Sequence, residues 1–281
     1  QNALKFGQVR MLVLDEADRM LDLGFSRELD AVFAALPKRR QTLLFSATFA
    51  DAIRDMAGTI LNDPVSVEAS PRNTAAPRVR QWAIPVDKRR KPELFCHLLG
   101  KRGWRQVLVF VKTRRGVEQL VATLLGQGIA ADSIHGDKPQ PARLRALERF
   151  RAGEAQVLVA TDVAARGLDI DDLPLVVNFD LPIVAQDYIH RIGRTGRAGA
   201  SGEAISLVCA DEVDLLGAIE ALTRQILERS EEPGFEPDHR VPLTNASGQL
   251  LKKPKKPKQP KAAAKRSAKG VPGNWVGFDA P

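Results

Sequence analysis

The segment MLVLDEADRMLDLGF, residues 11 to 25, places four apolar residues directly before two adjacent carboxylates, Asp15 and Glu16. Such an apolar run is typical of a buried β-strand, and the two acids at its end repel each other. In open parallel sheets, ligands bind beyond the carboxyl ends of the strands. The pattern therefore predicts a site where a cation offsets the repulsion, or else two surface acids at the start of a helix, where the helix dipole favours negative charge.

Short β-rich segments alternate with helical patterns along most of the chain. The predicted strands are Val9–Asp15, Gln41–Ser46, Val65–Glu68, Val79–Pro85, Gln106–Val111, Ala131–His135, Gln156–Ala160, Leu175–Phe179 and Glu203–Cys209. The predicted helices are Ser26–Leu36, Asp51–Leu61, Lys91–Leu99, Arg114–Gly126, Pro139–Arg151, Ala185–Gly193 and Asp211–Arg229. Several strands are continuously apolar, as expected for parallel strands covered by helices on both faces. The sequence thus predicts an α/β fold with doubly wound parallel sheets.

Composition divides the chain into four parts. Residues 1–68 are predicted to form a first unit with only three strands, which is few for a stable sheet. Residues 69–77 (ASPRNTAAP) are predicted to be a linker, and residues 78–230 a second unit with a full set of alternating elements. From residue 231 to residue 281 we expect a disordered tail rich in Lys and Pro.

The net charge of +8 is concentrated in this tail. Nine Lys or Arg lie between Lys252 and Lys269, and Asp279 is the only acid from Gln249 onward, so residues 1–248 are net neutral. A polycation of this kind either binds RNA with a steep dependence on salt or serves as a solubilising extension. Any nucleic-acid site in the body of the protein must therefore be a local patch.

Several classes of protein are disfavoured by the sequence. Cys96 and Cys209 form no CxxC pair and have no metal-ligand spacing, so a reduced, cytoplasmic location is the simplest interpretation. No apolar stretch approaches the roughly 18 residues that a membrane helix needs, and we expect no membrane partner. No signal-peptide pattern opens the chain.

Four further motifs follow the DEAD segment, residues 15–18, in the sequence. LLFSAT, residues 43–48, ends a second apolar strand in hydroxyl side chains. IHGDKPQPARLRALERF (134–150) and VLVATDVAARGLDI (157–170) precede YIHRIGRTGRAG (188–199). Together, in this order, these motifs resemble the DEAD-box ATP-dependent RNA helicases, a family with two RecA-like domains joined by a short linker. The resemblance covers about Val9 to Cys209, and it implies ATP and Mg²⁺ as ligands and RNA as a partner.

The resemblance implies a nucleotide site between the two units. Asp15 resembles the Mg²⁺-associated Asp and Glu16 the residue that activates water. Asp169 resembles the residue that meets the ATP ribose. Arg194 and Arg197 resemble the arginines that reach the γ-phosphate, and their spacing places them on one face of a helical turn.

The resemblance also implies coupling and RNA-binding residues. Those that link the two units, or link hydrolysis to strand separation, are Asp18, Ser46, Thr48 and His190. Those near the RNA backbone are Gly136, Gln140, Arg143, Thr161, Arg166 and Gly167. Contacts to phosphate and 2′-OH groups give little sequence preference.

One expected motif is missing from the sequence. The P-loop reads GxxxxGK[ST], but the only Gly-Lys pair is Gly100-Lys101, with Phe95 five residues before Gly100 and Arg102 after Lys101. We expect the P-loop to precede Gln1, so that the chain is an N-terminally truncated part of a helicase and its first RecA-like domain is incomplete. Two hypotheses follow: the parent protein is an ATP-dependent RNA helicase of which this part alone is inactive, or the chain is a truncated RNA-binding module without ATP turnover.

Overall fold

The computed structural model describes residues 5–22, 24–47, 51–68, 79–165, 170, 172–196, 201–245 and 247–251. The predicted linker and the tail from residue 252 onward lie outside these ranges. Within them, no helix has the length and apolar character needed to cross a bilayer.

The first unit contains two parallel strands in the described part of the chain. Strand β1 (Met11–Leu14) pairs with strand β2 (Gln41–Leu44), so that Met11 lies opposite Gln41 and Leu14 opposite Leu44. The helices of this unit are α1 (Ala17–Asp22), α2 (Ser26–Ala35) and α3 (Asp51–Ile60). Both predicted strands and both predicted helices are confirmed, whereas the short helix α1 was not predicted.

The predicted third strand of this unit, Val65–Glu68, is wrong. The segment has no strand hydrogen bonding, and the side chains of Val65 and Val67 are 89% and 84% exposed. Alternating apolar residues are a local signal, but a strand also needs a neighbour that offers a hydrogen-bonding edge. Among the described residues, β1 and β2 pair only with each other, and residues 65–68 join neither of their open edges.

The second unit is a seven-stranded sheet in which every strand pair is parallel. Its strands are β3 (Val79–Pro85), β4 (Val107–Phe110), β5 (Ala131–Ile134), β6 (Val157–Ala160), β7 (Leu175–Asn178), β8 (Gly202–Val208) and β9 (Glu228–Arg229). Its helices are α4 (Lys91–Arg102), α5 (Arg114–Gly126), α6 (Gln140–Arg151), α7 (Asp162–Ala165), α8 (Ala185–Ile192) and α9 (Val213–Thr223). The spatial order β5-β6-β4-β7-β8-β3-β9 confirms the predicted α/β parallel-sheet class.

Helices cover both faces of this sheet. Val107 and Val109 of β4 belong to the cluster with α4 and α5, whereas Leu108 and Phe110 belong to the cluster with α6 and α7. A third cluster joins β3 and β8 to α8 and α9. All four residues of β4 are buried, which explains why its sequence is continuously apolar and not alternating.

The last predicted helix, Asp211–Arg229, ends six residues earlier than expected. Helix α9 stops at Thr223 because Arg224 adopts a left-handed conformation with φ 55°. The chain then reverses, and Glu228–Arg229 adds the edge strand β9 beside β3. A strand of two residues is too short to show a periodic pattern of apolar side chains. The strand forms here because β3 offers an open edge for pairing.

Residues 231–245 pack on the second unit, which differs from the expectation of a disordered tail starting at residue 231. We call residues 231–245 the strap. Phe235 lies in the core cluster with α4, and Val241 lies in the cluster with α9. The carboxylate of Asp87 accepts hydrogen bonds from the backbone N–H groups of Asp238 (2.9 Å) and His239 (3.4 Å). Two buried apolar residues, Phe235 and Val241, are therefore enough to dock this charged segment on the second unit.

Glu232 ties the strap to α4 through ion pairs. Its Oε1 lies 2.5 Å from Lys101 Nζ and 3.1 Å from His97 Nε2, and its Oε2 lies 3.8 Å from Arg102 Nη2. The hydrogen bond from Lys101 is the main cause that lowers the pKa of Glu232, against the opposing effect of burial. The buried ring of Phe235 and the buried carboxylate of Glu232 thus both hold the strap on α4.

We expect Phe235→Ala to lower the free energy of unfolding by about 3 kcal/mol, because the substitution removes a buried ring from a packed cluster. Urea denaturation followed by circular dichroism measures this change. The control is Glu231→Gln in the same segment, which alters an exposed side chain and should change stability by less than about 0.5 kcal/mol. Equal effects of the two substitutions would contradict the docking of the strap.

We expect the contribution of Glu232 to disappear in acid. A lowered pKa in the folded state stabilises the protein above the unfolded-state pKa of about 4.3, and this stabilisation is lost as the pH falls through the folded-state value. Glu232→Gln should therefore cost about 1–3 kcal/mol at neutral pH and much less at about pH 3. Urea denaturation of both proteins at the two pH values tests this, and an equal difference at both would refute it.

Candidate functional site

The turn after β1 carries Asp15 and Glu16 and is tied to the end of β2. The N–H of Phe45 donates to the carbonyl of Leu14 (2.7 Å), and the N–H of Ala17 donates to the carbonyl of Phe45 (3.0 Å). Ser46 follows Phe45, so it lies at the same carboxyl edge; Thr48 is outside the described residues.

The backbone of this turn is strained at Glu16. Glu16 has φ 52°, in the left-handed region, and its N–H donates to Asp15 Oδ1 at 2.9 Å. A non-glycine residue in this conformation costs about 1 kcal/mol or more. The strain sets two carboxylates side by side at a strand end, and such strain is characteristic of functional sites.

Helix α1 begins at this turn and contacts α8 of the second unit. Asp18 and Arg19 are both 5% exposed, and Asp18 Oδ1 accepts from the N–H of Arg19 (3.0 Å). Arg19 pairs with Asp22 (3.1 Å) and, through Nη2, with Asp187 of α8. Burial raises the pKa of Asp187, and the charge of Arg19 opposes this effect. This buried pair brings the acidic turn and α8 together.

Arg191 holds α8 on the sheet. It is 2% exposed, and its Nε and Nη2 donate to the two oxygens of Asp162 at 2.6 and 2.8 Å. Its Nη1 donates to Asn178 Oδ1 (3.0 Å) and to the carbonyl of Asp180 (2.7 Å), and the guanidinium lies 4.9 Å from the ring centroid of Phe110. Arg191 is therefore a structural residue between two predicted site residues, His190 and Arg194.

The segment that follows α8 is fixed close to the sheet. The carbonyl of Arg194 accepts from the N–H of Leu173 (3.1 Å), and Thr195 Oγ1 donates to the carbonyl of Leu173. A Cβ at Gly202 would overlap Thr195 Oγ1 and Gly196 N, so the close approach requires glycine at Gly202. Arg194 is thus placed by backbone contacts; Arg197 lies outside the described residues.

A small pocket opens on this face of α8. It is lined by Phe110, Asp162, Ala165, Asp187, His190, Arg191 and Arg194. Two predicted site residues, the half-buried His190 and Arg194, therefore share a pocket with the acid that pairs with Arg19.

The predicted RNA-contacting residues that the structure describes lie at the carboxyl ends of β5 and β6. Gly136 and Gln140 are exposed. Thr161 is 9% exposed, and its N–H donates to the carbonyl of Ile134 at 3.2 Å. Arg143 is half-buried, and its Nη2 donates to the carbonyl of Ala164 at 3.0 Å. The structure brings these four positions to one edge of the sheet. Arg166, Gly167 and Asp169 lie outside the described residues.

The residues at the end of β1 fit a magnesium ion. Asp15 is an exposed carboxylate at a strand end and Glu16 is its neighbour. The described residues contain no cluster of three or more His, Cys, Asp or Glu side chains that could cage a metal. Mg²⁺ needs no such cage, because it binds through one or two carboxylates together with phosphate oxygens and water.

The sequence did not reveal the ion pairs that position α8. Asp162 lies 29 residues from Arg191, and Arg19 and Asp187 lie in different units. Arg191 is the clearest example, because its sequence neighbours His190 and Arg194 were both predicted as site residues and Arg191 was not. Only the tertiary fold shows that Arg191 points into the protein.

Two family models match the chain. The model described as DEAD/DEAH box helicase matches residues 1–56, and the model described as helicase conserved C-terminal domain matches residues 90–199.

Curated relatives are similar over most of the chain. The DEAD-box ATP-dependent RNA helicase CshA of Geobacillus kaustophilus is 41% identical over 236 residues, which are 84% of this chain and 50% of that protein. The ATP-dependent RNA helicase SrmB of Haemophilus influenzae is 41% identical over 249 residues, which are 88% of this chain and 57% of that protein. The chain therefore spans about half the length of these relatives.

Solved structures show the same fold. S. cerevisiae Dbp5 bound to RNA and ADP BeF3 is 35% identical with a TM-score of 0.73, and the match covers 81% of this chain and 61% of that one. E. coli SrmB bound to the regulator of ribonuclease activity A is 39% identical with a TM-score of 0.55, and the match covers 59% of this chain and 98% of that one.

We expect Asp162→Asn to lower the free energy of unfolding by about 3 kcal/mol, because it leaves the buried guanidinium of Arg191 without its charge partner. Urea denaturation measures the loss. The matched control is Asp172→Asn, an exposed residue with φ 59° where asparagine is tolerated, and it should change stability by less than about 0.5 kcal/mol. A loss at Asp162 no larger than the control would show that the pair is not a structural anchor.

Proposed function

The chain belongs to the DEAD-box helicase family, and from that premise we propose that it couples ATP hydrolysis to local unwinding of RNA duplexes or remodelling of RNA–protein complexes. The observation that carries the proposal is the buried pair between Arg19 and Asp187. It joins the helix that follows the acidic turn to the helix that precedes Arg194. In this proposal, groups of opposite charge from the two units face a common site, as a bound triphosphate requires.

In this proposal, residues of both units bind the nucleotide. Asp15 holds Mg²⁺ together with the phosphates, and the ion supplies the positive charge that offsets the repulsion among carboxylates and triphosphate. Glu16 orients or deprotonates the attacking water. Arg194 and Arg197 contact the γ-phosphate, where an arginine finger contributes about 10³–10⁵ to the rate in related nucleotide hydrolases. Asp169 contacts the ribose.

RNA is the proposed partner of the second unit. Gly136, Gln140, Arg143 and Thr161 lie at one edge of the sheet, and Arg166 and Gly167 follow α7 in the sequence. These residues contact the sugar-phosphate backbone, so the protein shows little sequence preference. The similarity to Dbp5, which was solved with RNA and ADP BeF3, supports this assignment. The nine basic residues of the tail add affinity that falls with salt.

Coupling between the two ligands is assigned to Asp18, Ser46, Thr48 and His190. Asp18 and Ser46 lie beside the acidic turn, and His190 lies on the pocket side of α8. If ATP and RNA both favour the state in which the units are joined, each increases the affinity for the other by the same factor. We assign this activity to the cytoplasm, in keeping with two cysteines that form no disulfide.

A second candidate is an RNA-binding module without ATP turnover. It is favoured by the difference between the units: seven parallel strands in the second, and two strands in the described part of the first. The 281 residues also contain no GxxxxGK[ST] motif. In this case the chain keeps its RNA affinity but does not hydrolyse ATP.

Steady-state phosphate release with and without poly(U) RNA, together with RNA binding by fluorescence anisotropy, separates the candidates. In a protein that joins these residues to a P-loop segment, we expect RNA-stimulated turnover that Arg194→Ala reduces by about 100-fold or more, with RNA affinity within about twofold. The control is Arg105→Ala, an exposed arginine that precedes β4 at the opposite edge of the sheet, and it should leave both unchanged. RNA binding without turnover would establish the second candidate, and the absence of both would overturn the proposal.

A further inference from the structure

Helix α5 presents two charged side chains to the loop that precedes α6. Arg114 and Glu118 are four residues apart and therefore share a face of the helix. Arg114 Nη1 pairs with Asp137. Glu118 Oε1 accepts from Ser133 Oγ at 2.8 Å, and lies 2.7 Å from His135 Nε2 and 3.7 Å from Lys138 Nζ. One helix face thus contacts the segment 133–138 at four positions.

Glu118 is the common acceptor for the buried donors of this segment. Ser133 and His135 are 1% and 6% exposed, and both point to the same carboxylate oxygen. His135 Nδ1 makes no hydrogen bond with the residues that the structure describes, so the ring is held through Nε2. Burial would raise the pKa of Glu118, but hydrogen bonds from Ser133 and His135 and the charge of Lys138 outweigh it and lower the pKa. The group is therefore an anion at neutral pH.

The first turn of α6 depends on this anchored segment for its position. Pro139 occupies the cap position and makes no side-chain cap hydrogen bond. The preceding loop is closed by the N–H of Lys138, which donates to the carbonyl of His135 at 3.1 Å. Gln140 and Arg143 lie in the first turn of α6, directly after the loop that contains Gly136. Whatever orients residues 135–138 therefore also orients Gln140 and Arg143.

We propose that Glu118 is a positioning residue for RNA binding: its carboxylate organises residues 133–138 and thereby sets Gly136, Gln140 and Arg143 for the sugar-phosphate backbone. The inference rests on the proposed function, because it takes RNA as the ligand of these three residues. The negative charge of Glu118 can support a surface that binds the RNA backbone, because the carboxylate is directed at the hydrogen-bond donors of Ser133 and His135.

The direction of the change in RNA affinity distinguishes a positioning role of Glu118 from a direct electrostatic effect of its charge. Removing a nearby negative charge strengthens the binding of a polyanion by Coulomb attraction alone. Loss of the anchor has the opposite effect, since the donors of Ser133 and His135 lose their acceptor. We expect Glu118→Ala to weaken binding of single-stranded RNA by about fivefold, a factor typical of one lost hydrogen bond. Glu118→Gln keeps an acceptor oxygen and should recover most of the affinity.

Fluorescence anisotropy with a labelled oligo(U) RNA measures these affinities in the full chain. The control is Glu148→Ala, an exposed acid on α6, which should leave the affinity unchanged or raise it slightly. Tighter binding by Glu118→Ala, or equal weakening by Glu118→Ala and Glu148→Ala, would overturn the positioning role.

Amide hydrogen exchange gives a readout that does not depend on RNA. We expect Glu118→Ala to increase exchange at residues 135–140 selectively, while the exchange of β4 stays unchanged. Unchanged exchange at residues 135–140 would refute the proposal even if the wild-type chain binds RNA. Conversely, selective loosening in a chain that does not bind RNA would show that Glu118 orders the loop while the assigned RNA function fails.

Discussion

The burial of Arg191 is the constraint on which the second unit most depends. A guanidinium group removed from water needs partners for its charge and its donors, and here Asp162, Asn178 and the carbonyl of Asp180 accept four hydrogen bonds from it. These partners come from the start of α7 and the end of β7, so the pairing fixes α8 against two neighbouring elements. Because His190 and Arg194 flank Arg191 in sequence, their placement follows from a residue that is itself only 2% exposed.

The same pairing of buried charges bears on how a net neutral body could present the proposed RNA-binding edge. The basic side chains are paired locally: Lys91 with Glu212 at 2.6 Å, Lys101 with Glu232, and Arg149 with Asp132 at 2.8 Å. Lys91 is 1% exposed, and it overcomes the effect of burial to lower the pKa of Glu212. With these charges paired locally, the field at the carboxyl edge is set by the few groups placed there, and not by the charge of the whole chain.

The sequence predicted the central strands of the sheet better than it predicted the edge strand and the segments that flank the sheet. Continuously apolar strands such as β4 are specified by burial on both faces, and this signal is visible in a short segment. Val65–Glu68 has a similar local signal but no strand partner among the described residues, and β9 has a partner but no local signal. The strap was missed for a related reason. Phe235 and Glu232 are isolated anchors in a charged segment, and their partners lie on α4, more than a hundred residues away.

The site shows the same division. Asp15, His190 and Arg194 were predicted as site residues from sequence motifs, whereas the pair that joins α1 to α8 was not, since Arg19 and Asp187 become partners only through the fold. This pair also limits what joining the units can contribute. Both charges are hydrated when the units are apart, so burying them costs desolvation free energy that their attraction roughly offsets. The pair therefore selects one orientation of α1 against α8 without adding much stability to it. In the proposed function, the stability of the joined state must then come from ligands that contact both units, and this dependence is what allows ATP and RNA to control it.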